Sequence, residues 1–165
     1  MDDALPARAV ELIRLLSLQP HPEGGHYGEV FRSARRVQPD DARSPRCGLT
    51  TIDFLLARGQ FSAWHRVESD EVWHLLEGGP LRLWLAPPDL SHVEVVDLGA
   101  ANATHRPRHV VPARWGQAAE TLGAFAYVGA TVGPGFDFAD FSFGRDDAAF
   151  VAALAAHEPA LSRLL

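Results

Sequence analysis

The feature that most constrains this chain is a succession of short β-prone runs, each punctuated by glycine or proline. They span Tyr27–Arg32, Leu49–Ala57, Phe61–Arg66, Glu71–Glu77, Leu81–Ala86, Val93–Leu98, His109–Val111, Gln117–Thr121, Phe125–Val132 and Phe138–Phe143. Runs spaced about 8–12 residues apart with turn signals between them predict a β-sandwich or closed barrel. The two ends differ. Asp3–Ser17 carries Leu5, Ala9, Leu12, Ile13 and Leu16 at helical spacing, and Pro20 and Pro22 stop it. Asp146–Leu165 is again helical, with Phe150, Val151 and Leu154 as its apolar stripe and Pro159 as a break. Ser33–Gly48, polar and carrying Pro39 and Pro45, is expected to be a surface loop. The predicted fold class is all-β with flanking helices. It is divided into a helix in residues 1–18, a barrel over 26–143 and a C-terminal helix over 146–165, together one domain of 165 residues.

Composition narrows the function classes. The chain is 47% hydrophobic and 22% charged, which argues against wholesale disorder. Fifteen Lys and Arg against 21 Asp and Glu leave a net charge of −6, the wrong sign for a general nucleic-acid binder. No run approaches the roughly 20 apolar residues of a membrane span. The opening Met1-Asp2-Asp3 lacks a basic leader region, so no membrane partner and a cytoplasmic setting are expected. A single Cys47 excludes an internal disulfide and any multi-cysteine metal site. Eight histidines remain, most of them without a chemical context.

His65 has one. In Gly59-Gln-Phe-Ser-Ala-Trp-His65-Arg-Val67-Glu-Ser-Asp-Glu71-Val-Trp-His74-Leu-Leu-Glu-Gly78, one strand ends at His65 and the next opens at Glu71. A short turn therefore brings imidazole and carboxylate to one barrel mouth, as a metal-ligand pair or as an acid–base dyad. Strand parity puts Trp73 on the same face as Glu71 and His74 on the opposite one. Arg114 and Gln117 follow Pro112, and an arginine fork there suits an anionic group.

The stretch from Gly59 to Gly78 resembles the first cupin motif, with Gly59, His65, Glu71 and Gly78 in register but Val67 in place of the second histidine. Pro112-Ala-Arg114-Trp-Gly-Gln117 is similar to the second motif, with Gln117 where a histidine is usual. Three further stretches resemble the cupin-5 family: Leu18-Gln-Pro-His21-Pro-Glu23-Gly24-Gly25 with Glu29–Ser33, Ser62–His74, and Gly133–Phe141. The resemblance implies a cupin β-sandwich or jelly-roll barrel, usually a homodimer, similar in shape to nucleotide-sugar epimerases. It leaves the reaction, and whether there is one, open.

The resulting expectations are these. His65 and Glu71 are the candidate catalytic pair, and Trp73, His74, Arg114, Gln117, Glu23 and Gly24 the candidate ligand contacts. With two usual ligands replaced, a divalent metal on His65, Glu71 and Gln117 is expected to be at most loosely held. The partner is a small, anionic or sugar-like metabolite, handled by an isomerase or epimerase, held by a non-catalytic binder, or turned over by a weakly metal-dependent enzyme.

Overall fold

The computed structural model describes residues 5–165; the start of the first predicted helix lies outside them. In chain order the elements are α1 (Ala7–Leu15), β1 (Gln19–Pro20), β2 (His26–Arg32), β3 (Arg36–Val37), β4 (Arg46–Cys47), β5 (Thr50–Ala57) and β6 (Phe61–Val67). Then come β7 (Asp70–Gly78), β8 (Leu81–Ala86), β9 (Glu94–Leu98), β10 (Arg108–Val111), β11 (Gly116–Thr121), β12 (Phe125–Gly133), β13 (Phe141–Phe143) and α2 (Ala148–His157). Antiparallel pairing builds a six-stranded sheet, β1-β2-β5-β12-β7-β10, and a five-stranded sheet, β13-β6-β11-β8-β9. The fold is strand-rich with helices at its ends, as the alternation of apolar and polar residues predicts.

Alternation sends every second side chain inward. Phe54, Leu56, Trp73, Ala126 and Val128 of the larger sheet meet Leu81, Leu83, Leu85 and Ala119 of the smaller one in a shared core. The two helices then cover part of each outer face. Trp64, Trp84 and Ala118 lie under Phe150 and Leu154 of α2, and Leu55 lies under Ala9 and Leu12 of α1. Asp147 caps α2, accepting hydrogen bonds from the Ala149 and Phe150 amides. Pro159 ends that helix and opens a 3-10 turn, Pro159–Leu164.

Three expectations change in detail. The loop 33–48 contains the short β3–β4 ladder, with Arg36 opposite Cys47. The closing strand begins at Phe141, because Phe138–Asp140 forms a 3-10 turn capped by Asp137. The first helix ends at Leu15, two residues short of Ser17. Among the described residues no helix is long and apolar enough to cross a membrane.

Candidate functional site

Between the sheets, at the end of the barrel away from the Leu81–Leu85 core, lies a cavity of about 330 Å³. Its inner wall carries His65 from β6 and Glu71 from β7, both buried. Glu23 joins them from the loop between β1 and β2. That loop turns on itself through the Gly24 amide to the His21 carbonyl, and the Glu23 carbonyl then accepts the Ala63 amide at 2.7 Å. Gly24, at φ +115°, lies so close to β6 that a Cβ would collide with the Phe61 carbonyl oxygen. The paired glycines thus let the loop press on β6 and deliver Glu23 beside His65.

The polar contacts define tautomers. His65 Nδ1 lies 2.7 Å from the Ala63 carbonyl oxygen, which can only accept, so Nδ1 carries the proton. In the neutral ring Nε2 is then an acceptor, and it lies 3.2 Å from Glu23 Oε2. Glu23 Oε1 accepts the Ser62 hydroxyl at 2.8 Å. Burial raises the Glu23 carboxyl to about 8, partly offset by Ser62. Burial also raises Glu71, to about 7, with the His65 charge opposing the rise. His65 is lowered by burial, against the pull of Glu71. His21 is lowered to about 4 by burial and by His65. At neutral pH the wall is therefore a neutral imidazole flanked by two carboxyls raised to about 7 and about 8.

Gln117 has a different place from the one expected. It is opposite His65 in the β6–β11 ladder, is 1% exposed, and donates to Glu71 Oε2 at 2.6 Å. The Trp73 indole, which can only donate, reaches Gln117 Oε1 at 2.9 Å. That contact fixes the amide orientation and takes one lone pair of its oxygen, so Gln117 serves to hold Glu71 in place. Val67 supplies a hydrocarbon to the same cavity. Among the described residues, no three His, Cys, Asp or Glu side chains converge as a metal shell. Of the expected metal set, His65 and Glu71 are the two strong ligands, too few by themselves to hold a metal tightly.

Other candidates fall elsewhere. Arg114 lies on the turn before β11 at φ +69°, 58% exposed, and grips Glu68 at 3.0 Å, so it cannot clamp a molecule in the cavity. His74 faces the outer side of β7, opposite Arg108 and Gly129, as strand parity requires. Trp73 points inward but packs in the core and serves Gln117 instead of lining the cavity. Gly24 lines a separate surface pocket and acts through the loop's backbone.

The sequence alone did not single out the rest of the lining. Tyr27 stands edge-on to His21 at 4.5 Å, and Phe141 stacks on His65 at 5.2 Å. Phe136, Phe138 and Asp137 form the rim, and Arg32 pairs with Glu29 at 2.8 Å. Alternation along β2 does signal that Tyr27 shares a face with Glu29, but a bulge between Glu29 and Phe31 breaks that pattern before Arg32.

The fold recurs in solved structures of low sequence identity, so sequence relationship decides the family. The profile described as Cupin superfamily (DUF985) matches residues 10–144. The chain belongs to the Cupin_5 family. It is 30% identical to a hypothetical protein from Leishmania major, covering 94% of this chain and 95% of that one with a TM-score of 0.80. A Shewanella oneidensis protein is also 30% identical, covering 93% and 92% at a TM-score of 0.77. Oxalate decarboxylase from Bacillus subtilis shares the fold alone, at 15% identity and a TM-score of 0.58, over 88% of this chain and 36% of that one. No curated protein matches the chain.

Proposed function

We propose that this Cupin_5 protein takes a small metabolite into its chamber and moves a proton on it, as an isomerase or epimerase does. The observation that carries this reading is the fixed His65 tautomer: Nδ1 is tied to the Ala63 carbonyl, leaving Nε2 as the base beside Glu23. In such a step Nε2, freed when Glu23 ionises, accepts a proton from the substrate with the Glu23 carboxylate stabilising the imidazolium, and a protonated Glu71 carboxyl returns one to it. The Phe141 ring stacked on His65 and the Gln117 amide on Glu71 hold both groups in position.

The chamber's charge bears on the ligand. Glu23, Glu29, Glu71 and Asp137 line it against a single Arg32, and that fork is taken by Glu29. With Arg114 outside, an anionic ligand has no free cation to meet, and a non-anionic metabolite fits better. The test is incubation in deuterated water with a panel of neutral and amine-bearing sugars and polyols, followed by mass spectrometry. Deuterium uptake at carbon, lost in His65→Gln, is the expected result; no uptake across the panel removes the catalytic reading.

Binding without turnover is the second reading, and one observation favours it. An epimerase needs an acid on the far side of the substrate, and Tyr127, on the late strand β12, donates to Asp53 at 2.8 Å and packs against α1.

We further propose that the protein is a homodimer, joined through the uncovered part of the larger sheet's outer face. Phe31, Thr51, Thr131, Val72 and Val110 lie in one row across β2, β5, β12, β7 and β10, a run of apolar and hydroxyl-bearing side chains.

A further inference from the structure

The chamber combines two features that no proton-transfer step requires. One is aromatic. Tyr27 lines its inner part, and Phe136, Phe138 and Phe141 meet edge to face, with centroids 5.0 to 6.2 Å apart. Elsewhere in the protein an arginine stands over an aromatic ring, at Phe143, Phe150 and Trp84. Among the described residues none of the chamber's rings has such a cation. One face of Phe141 is covered by His65, and the ring faces left free around the chamber are electron-rich.

The other feature is an unpartnered carboxylate. Glu71 lines the cavity and is 7% exposed; Gln117 donates to its Oε2, and Oε1 takes no hydrogen bond among the described residues. At the rim, Asp137 uses Oδ1 to cap the turn at Ala139, and Oδ2 takes no such bond. The nearby cations are committed: Arg32 grips Glu29 and donates to the Phe136 carbonyl at 3.0 Å, and Arg46, within reach of the Asp137 charge, is held by Asp140. Neither free oxygen is sealed from solvent, so each is open to a positive or hydrogen-bonding guest.

Resting on the chamber-binding reading above, we propose that the ligand is a small organic cation, an amine or methylated ammonium on a compact polar body. Its charged head sits against the rings of Phe138 and Phe141 between Asp137 and Glu71. A volume of about 330 Å³ is near the lower end of ligand sites, so the whole molecule is small.

Binding of a cation is linked to the protons of the wall. Glu71 titrates near 7 and Glu23 near 8, and each is driven to ionise by a positive guest. His21 and His65 are neutral in this range, and the Arg32–Glu29 pair stays charged, so proton release comes from the two carboxyls. Affinity for a cation therefore rises with pH between about 6 and 8, whereas affinity for an anion falls.

The experiment uses the full chain and four probes of known charge: choline, its neutral isostere 3,3-dimethyl-1-butanol, glucose and inorganic phosphate. Binding is read by isothermal titration and by NMR shifts of the Phe138 and Phe141 amides. The expected result is saturable choline binding at least 10-fold tighter than the isostere. It strengthens several-fold from pH 6 to 8 and weakens several-fold in Asp137→Asn and Phe138→Ala, two exposed positions whose change leaves the core intact. Equal or tighter binding of the isostere, glucose or phosphate overturns the cation proposal and leaves the chamber reading standing. Choline binding indifferent to both variants also overturns it, since the cation then sits elsewhere. Failure of all four probes to shift any chamber residue overturns the proposal and the chamber reading together.

Discussion

Glu23 and Glu71 are carboxyls held where a charge is poorly solvated, and each leaves a signature in stability. A carboxyl whose pKa is raised on folding stabilises the native state fully below its unfolded value, and that contribution is lost as pH rises through the folded one. With Glu71 at about 7 and Glu23 at about 8, stability declines on the alkaline side. His21, lowered to about 4, and His65 act in the opposite sense, since each must gain its proton on unfolding below pH 6.5. Above pH 6.5 the histidines are neutral in both states and only the carboxyls contribute. Chemical denaturation between pH 6.5 and 8 is expected to show a loss of about 2 kcal/mol. Glu23→Gln removes most of that slope and Glu71→Gln a smaller part; an unchanged slope in Glu23→Gln would show that the carboxyl ionises freely in the native state.

The elements that hold these residues were legible to very different degrees. The ten long strand runs could be read because alternation and Gly/Pro punctuation are local signals, and the observed strands follow them within a residue or two at most ends. His65 and Glu71 could be placed on one mouth because only a short turn separates β6 from β7. The Glu23–His65 contact could not, because it depends on a loop folding back across 42 positions, for which no local pattern exists. Arg114 illustrates the converse: its register pointed to the mouth, but the left-handed backbone at that turn throws the side chain toward Glu68 and solvent. The loop's mechanics can be tested. Gly24→Ala puts a methyl group against the Phe61 carbonyl at a φ that L-residues avoid, which is expected to cost on the order of 2 kcal/mol. It should also withdraw Glu23 from His65, read as a changed His65 imidazole shift in NMR. A stability loss without that shift would mean the loop yields elsewhere.

At the scale of the whole molecule, the two outer faces are covered unequally. The C-terminal segment lies over the smaller sheet, whereas α1 reaches only one end of the larger one, through Leu55, Phe125 and Tyr127. The remainder of that sheet leaves Phe31, Leu76 and Val110 each about half exposed, at 50%, 55% and 51%. Side chains of this kind clustered on a flat sheet face are an unusual surface for a lone protomer and a natural one for a two-fold partner, since a self-complementary patch closes with one copy. Charge at that patch should therefore separate the copies without touching the chamber. Light scattering on the wild-type chain is expected to give twice the 18.0 kDa chain mass, and Leu76→Glu with Val110→Lys to give the single-chain mass with unaltered far-UV circular dichroism. A wild-type chain that runs at 18.0 kDa, or a double variant that still runs at twice that mass, places the association surface elsewhere or removes it. Because the chamber is lined by the inner side of this sheet, through Thr50, Ile52, Ala130 and Val132, ligand binding should survive in the separated protomer.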